Sequence, residues 1–191
     1  MENIKKVFAF TLMTIMLISM MPLANAAEPV VTRRQIASDI MNLYNDITKT
    51  HSSVSIGRGD GIYDDIPNAG LAIEWCSVTG IMIGTAERIF EPDGVVTREQ
   101  AATVMYRFLR YLDNHSRSTF ADFDEASIPE ENRFADDNCI SSWAKYSVYA
   151  IQVMGIIEGD ENHMFKPQEN LSVDEESLIL SRIKSKYTDE E

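Results

Sequence analysis

From Thr97 onward the apolar residues Ala101, Val104, Met105, Phe108 and Leu112 recur at three-and-four spacing, which is one buried face of an α-helix. The same stripe runs from Thr32 through Ile36, Ile40, Leu43 and Ile47. From Ser172 it reads Leu178, Ile179, Arg182 and Ile183 and is weaker. Each stripe opens on a hydroxyl residue with Gln or Glu three positions later: Thr32 with Gln35, Thr97 with Gln100, Ser172 with Glu175. That spacing fits the capping box, in which the hydroxyl accepts from the N3 backbone N–H and the longer side chain returns to the N–H of the cap. Three long helices are therefore predicted to start at Thr32, Thr97 and Ser172. Shorter apolar segments near 69–79 and 142–154 predict two more, each halted by a glycine, Gly80 or Gly155, at the left-handed C-terminal position. Gly84 and Gly159 mark a second turn.

The pattern repeats. Gly80-Ile81-Met82-Ile83-Gly84 with Phe90-Glu91-Pro92 returns 75 positions later as Gly155-Ile156-Ile157-Glu158-Gly159 with Phe165-Lys166-Pro167. A third copy of the helix start, at Thr32, lies 65 positions upstream of Thr97. Glycines, aromatic and proline that keep register define a supersecondary unit used more than once. Phe90 and Phe165 read as core plugs. Trp75 and Trp143 are not equivalent, because Trp75 aligns with Ala150 and Trp143 with Asn68; one packs internally while the other lines a groove, and the sequence does not allocate the roles.

These units resemble S-layer homology repeats, the modules that hold bacterial surface proteins on the cell wall. Phe134, Asp136, Trp143, Ala144, Gly155, Gly159, Phe165 and Pro167 match the family pattern in the last copy. In the middle copy Tyr63, Asp65, Trp75, Gly80, Gly84, Phe90, Pro92, Thr97 and Arg98 match it. The resemblance implies an all-α, mainly helical domain of pseudo-threefold symmetry, with the three long helices as a central bundle and short helices and loops as prongs with grooves between them. On this reading 27–60 is a truncated first repeat and linker, 61–114 the second repeat, 115–187 the third and 188–191 an acidic tail. Two departures stand out. The first copy has only residues 27–31 ahead of Thr32, so one prong is expected to be incomplete. The last copy has Val173 where the pattern has Arg, which removes one cation, although some copies in the family carry Val there.

The N-terminus changes the compartment. Lys5 and Lys6, an apolar run over 7–21, Pro22 and the small-residue site Ala24-Asn25-Ala26 read as a signal peptide over 1–26, cut after Ala26. An uncleaved anchor is the alternative, but the run is short of the ~20 residues a spanning helix needs. No Cys follows the site, as a lipoprotein would require. Losing Glu2, Lys5 and Lys6 takes the 30 acidic and 17 basic residues of the whole chain to 29 and 15, a net charge near −14. Such a surface excludes nucleic acid as partner, because binding a polyanion depends on Lys and Arg neutralising phosphates. An anionic ligand needs a local positive site instead. An exported chain can oxidise Cys76 and Cys139, yet Cys76 aligns with Ile151, as a small core hydrophobe would.

The arginines after the caps carry the candidate chemistry. A helix N-terminus presents free N–H groups and partial positive charge, so Arg33, Arg34 or Arg98 there costs ~0.3–1 kcal/mol when exposed. That cost is offset if an anion sits at the helix start, bound by backbone N–H groups and a guanidinium fork together. The alternative is that each Arg pairs with an acid such as Asp65 or Asp136 or points into solvent. The resemblance implies binding of anionic secondary cell-wall polysaccharide in grooves that include this arginine. Arg33 and Arg98 are then the carboxylate clamps, Gln35 and Gln100 complete the caps beside them, and Trp143 stacks on a sugar ring. The copy with Val173 is expected to be silent or weak.

The expected function is a secreted, non-catalytic wall-binding module at the bacterial cell surface, with no cofactor and no metal. The alternative is that divergent repeats have lost glycan binding and act as a surface protein-interaction or assembly element. Asp64-Asp65 and Asp136-Asp137 are adjacent acids in loops without other catalytic context, and His51, His115 and His163 are scattered without ligand spacing, so an enzyme is not expected. Arg58-Gly59-Asp60 is a tripeptide that chance accounts for.

Overall fold

A computed structural model describes residues 29–50, 62–66, 70–115 and 128–188. The expected signal segment, the Arg58-Gly59-Asp60 tripeptide, His51, most of the acidic stretch 122–131 and the last three residues lie outside them. Among these residues five α-helices follow in order: α1 Arg33–Thr48, α2 Leu71–Val78, α3 Arg98–His115, α4 Ser142–Val153 and α5 Val173–Thr188. Among the described residues there is no strand, only isolated bridges. The molecule is mainly helical, as expected, and no described helix is long and apolar enough to cross a membrane.

The long helices start where the caps predict. At α3, Thr97 N–H donates to Gln100 Oε1 at 3.1 Å and Gln100 N–H to Thr97 Oγ1 at 3.4 Å. At α5, Ser172 and Glu175 make the same exchange at 3.0 and 3.2 Å. At α1 only half forms. Thr32 Oγ1 accepts from Gln35 N–H at 3.3 Å, but the Gln35 side chain turns across to Glu176 on α5, at 3.3 Å. Gln35 therefore does not complete its cap, because direct packing of α1 on α5 offers it a carboxylate instead.

What joins the repeats is a closed cycle of backbone hydrogen bonds. Val31 N–H donates to Leu171 C=O (2.9 Å), Leu171 N–H to Val96 C=O (2.8 Å) and Val96 N–H to Val31 C=O (3.0 Å). These residues are equivalent under the 65- and 75-residue offsets, and each is at most 1% exposed. The next turn outward repeats the relation: Arg33 N–H to Gly94 C=O, Arg98 N–H to Glu169 C=O, Val173 N–H to Pro29 C=O, all at 2.9–3.0 Å. The pseudo-threefold axis thus runs through the starts of the three long helices. Pro29 and Val31, just ahead of α1, supply the first repeat's share of these bonds.

Below the ring, α2 packs on α1 and α4 on α3, leaving one continuous core. Trp75 is buried against Tyr44 (ring centroids 5.0 Å apart) and Tyr111 (5.5 Å), whereas Trp143 on α4 is 55% exposed. Phe90 and Phe165 are fully buried core plugs. Leu178 is not core; it is 51% exposed, and the turn above it is held by Arg182 bonding Ile156 C=O. Gly80 and Gly155 take φ of 74° and 67°, as their helix ends require. Gly84 serves a close approach rather than a left-handed turn, since a Cβ there would lie 2.4 Å from Ile89 O. Both cysteines are free, Cys76 buried and Cys139 exposed, and burial pushes the Cys76 thiol up to about 12.

Candidate functional site

Each Phe-x-Pro loop is built around one carboxylate. Asp65 accepts from Phe90 N–H (3.0 Å) and Glu91 N–H (2.7 Å); Asp136 accepts from Phe165 N–H (2.8 Å) and Lys166 N–H (2.7 Å). The middle residues Glu91 and Lys166 both stand at φ 56°, a conformation that costs a non-glycine residue ~1–2 kcal/mol and is held by these paired bonds. The N–H bonds hold the Asp65 carboxyl below its usual range.

Such a loop then lies on the start of the long helix of the preceding repeat. Arg34 N–H donates to Pro92 C=O at 2.8 Å and Glu99 N–H to Pro167 C=O at 3.1 Å. Together with the ring bonds and the caps, this spends the first three N–H groups of both α1 and α3 on the protein itself. The helix-start N–H groups, expected to be free, are taken instead by carbonyl oxygens of neighbouring segments and by the cap hydroxyls.

The arginines follow the same loops. Arg33 is 9% exposed; its Nε donates to Phe90 C=O at 2.6 Å, its Nη2 to Ile83 C=O at 2.7 Å, and its Cζ lies 4.5 Å from the Phe90 ring centroid. Burial lowers its pKa against the opposing pull of Glu91. Arg98 repeats half of this. Its Nε donates to Phe165 C=O at 2.7 Å and its Cζ lies 5.2 Å from the Phe165 ring, but Nη1 pairs with Glu175 instead of a carbonyl. Among the described residues neither Asp65 nor Asp136 forms an ion pair with an arginine; both are occupied by loop N–H groups, and Arg33 acts on Asp65 only at longer range. An arginine at a helix start is tolerated because its side chain leaves the helix for carbonyl oxygens of the next repeat.

Beside Arg98 a groove of ≈ 250 Å³ runs between the Gly155-to-Gly159 loop and α5. It brings together Arg98, Lys166 and Arg182, each facing an acid: Arg98 with Glu175, Lys166 with Asp160 at 3.2 Å, Arg182 with Glu158 at 3.0 Å. The bond from Asp160 raises the Lys166 ammonium, and N–H bonds led by Met164 lower Asp160. Of the residues singled out from sequence, Arg98 lines this groove; Arg33, Gln35, Gln100 and Trp143 do not. Lys166 and Arg182 were missed. Lys166 is the variable residue of Phe-x-Pro, and Arg182 occupies a helix-stripe position that reads as a core defect.

Residues 62–102 and 133–172 each match the family model described as S-layer homology domain, so the chain carries two such repeats. It is 28% identical over 149 residues to an endoglucanase of Bacillus sp. (strain KSM-635), and 28% identical over 123 residues to cell surface glycoprotein 1 of Acetivibrio thermocellus. It is 26% identical over 153 residues to an amylopullulanase of Thermoanaerobacterium thermosulfurigenes. These alignments cover 73%, 63% and 78% of this chain but 15%, 5% and 7% of those proteins, so the chain spans a minor part of the length of the relatives it matches. S-layer homology domains are anchoring modules of the bacterial cell surface.

Proposed function

We propose that this chain, through the S-layer homology repeats it carries, is an exported, non-catalytic module that binds an anionic secondary cell-wall polysaccharide in the groove at Arg98. The observation that supports this reading is the half-tied state of that arginine. One edge of the guanidinium is fixed by Phe165 C=O, which orients the fork, while the other meets the Glu175 side chain, itself 40% exposed. A ligand carboxylate that replaces Glu175 meets a preset bidentate donor, with Lys166 and Arg182 on the same walls. Arg33, spent on two carbonyls and buried, is a strut in this reading rather than a second clamp. Gln100 supports the cap beneath Arg98, and exposed Trp143 is a stacking face for a sugar outside the groove.

Co-sedimentation with purified cell-wall sacculi, before and after chemical removal of secondary polysaccharide, tests the proposal. Wild type is expected to pellet only while the polysaccharide is present. Arg98→Ala is expected to lose about tenfold or more in affinity, the scale of one charge-assisted pair. Glu175→Gln keeps the cap chemistry and frees Arg98, so it is expected to bind more tightly. A folded wild type that stays in the supernatant sinks the glycan reading. The alternative, a surface protein-interaction element, is favoured by one observation: all three groove cations are already neutralised by acids of the chain.

A further inference from the structure

The repeat offsets place a third groove at the start of α5, and its charge is reversed. Carrying the Arg98 groove over by position turns Arg98 into Val173, Glu175 into Gln35, Ile179 into Asp39 and Arg182 into Asn42. Those four residues, with Glu176, line a groove of ≈ 330 Å³ between α1 and α5. Glu176 stands where α1 has Ile36 and α3 has Ala101, and it is 2% exposed. Its Oε2 accepts from Gln35 Nε2 at 3.3 Å, whereas its Oε1 has no hydrogen-bond partner. The Gln35 side chain also bonds Asp39. Among the described residues no lysine or arginine pairs with Glu176 or Asp39. Lys184, which also lines the groove, is held by Asp46 at 2.8 Å.

We propose that this groove is a second ligand site, which takes the ammonium of an unacetylated amino sugar against Glu176 and Asp39. The site stands apart from the Arg98 groove and does not depend on wall binding there. The charged groups facing it are Asp39 and Asp46 from α1 and Glu176 and Lys184 from α5, a negative balance. A buried carboxyl with a bare oxygen calls for a cation or a proton. Among the described residues no three acidic, His or Cys side chains are grouped to hold a metal ion, whereas the three donors of an ammonium are satisfied by two carboxylates and one neutral acceptor. The rest of the lining selects a sugar. Asn42, Ser177 and Ser181 stand exposed on the two walls and offer donors and acceptors to ring hydroxyls, while Val173 and Leu180 offer an aliphatic patch to a C–H face. Gln35 is the side chain that yields. Its counterpart Gln100 folds back to accept from Thr97 N–H at 3.1 Å, so Gln35 has the same place at Thr32 once a ligand ammonium takes over its bonds to Glu176 and Asp39. Burial, then Asp39, pushes the Glu176 carboxyl up to about 7, and burial raises Asp39 as well, so the site gains negative charge as pH rises through neutrality.

The test titrates the ¹⁵N-labelled chain with D-glucosamine at about pH 7.2, where its amine is largely protonated, and follows the side-chain amides of Gln35 and Asn42 and the Thr32 amide by NMR. Saturable shifts are expected. N-Acetyl-D-glucosamine, whose amide is neutral, is expected to bind about tenfold or more weaker, the scale of one charge-assisted pair. Glu176→Gln, with its fold verified by circular dichroism, is expected to weaken glucosamine by a similar factor, and Asp39→Asn serves as the second variant if the first does not fold. Wild-type affinity is also expected to fall severalfold at about pH 5, where the Glu176 carboxyl is protonated. No saturable shift, equal affinity for the acetylated sugar, or unchanged affinity in the folded variants overturns the proposal. Tighter binding of lysine methyl ester than of glucosamine also overturns it, since the groove then reads a peptide amine rather than a sugar. Because the shifts are read at Gln35, Asn42 and Thr32, failure here leaves the Arg98 reading standing, and failure of sacculus binding leaves this site standing.

Discussion

The grooves at Arg98 and at Val173 occupy pseudo-equivalent places around one ring, yet they differ in two respects. The first has a loop wall, Gly155 to Gly159, and three cations matched by three acids. The second has Val173, Asn42 and Asp39 at the corresponding places and a buried carboxyl with a bare oxygen beneath. The faces beside them differ in the same sense. Ala37, Met41 and Tyr44 on α1, and Ala102, Tyr106 and Leu109 on α3, carry short helices; their α5 equivalents are Ser177, Ser181 and Lys184, all exposed. Among the described residues no short helix packs on α5, and its face there is polar. Repetition therefore preserved the ring while letting the periphery diverge, because the ring uses backbone groups that any sequence supplies and the periphery uses side chains.

The comparison breaks most severely at the loop carboxylate. Asp136→Ala removes the acceptor for two N–H groups and is expected to cost about 4 kcal/mol in urea unfolding, since each stranded buried donor costs ~1–3 kcal/mol. A smaller loss would mean that the Phe-x-Pro loop holds its left-handed residue without this anchor. Next comes the pH dependence of the third groove. The folded Glu176 value, about 7, lies above its ordinary 4.5, so its contribution is fully present below about pH 4.5 and is lost as pH rises through 7. Up to about 3 kcal/mol is expected to disappear over that window, and Glu176→Gln is expected to remove this part of the profile. A flat wild-type profile would show the carboxyl to be solvated.

A third substitution makes the two grooves alike. Val173→Arg places a guanidinium beside Glu176 and Asp39 and is expected to stabilise by about 1 kcal/mol at pH 8 and less at pH 5, read from thermal unfolding. Destabilisation at both pH values would mean that the side chain cannot reach the carboxylates. The smallest effect concerns Leu178, which sits in the helical stripe but is exposed. Leu178→Ser is expected to stay within about 0.5 kcal/mol, whereas Ile179→Ala, one position on and buried, is expected to cost about 2–3 kcal/mol.

Helix starts were legible because capping is local chemistry: Thr97 and Gln100 need only each other. Gln35 was misread because its alternative partner, Glu176, lies 141 positions away. Arg98 was found from its place after the cap. Lys166 and Arg182 were not, since their relevance depends on the groove that brings them together.

By itself the sequence determined the repeat, its offsets and the helices, because periodicity, caps and glycines act over a few residues and survive without a partner. Only the tertiary structure decided where the polar groups of those elements go. It closed the ring through Val31, Val96 and Leu171, gave the helix-start N–H groups to Pro92 and Pro167, and turned Arg33 inward while leaving one edge of Arg98 to Glu175. The physical reason is that a buried donor or acceptor must find a partner, and which partner lies within 3 Å is a property of packing across repeats rather than of neighbours along the chain.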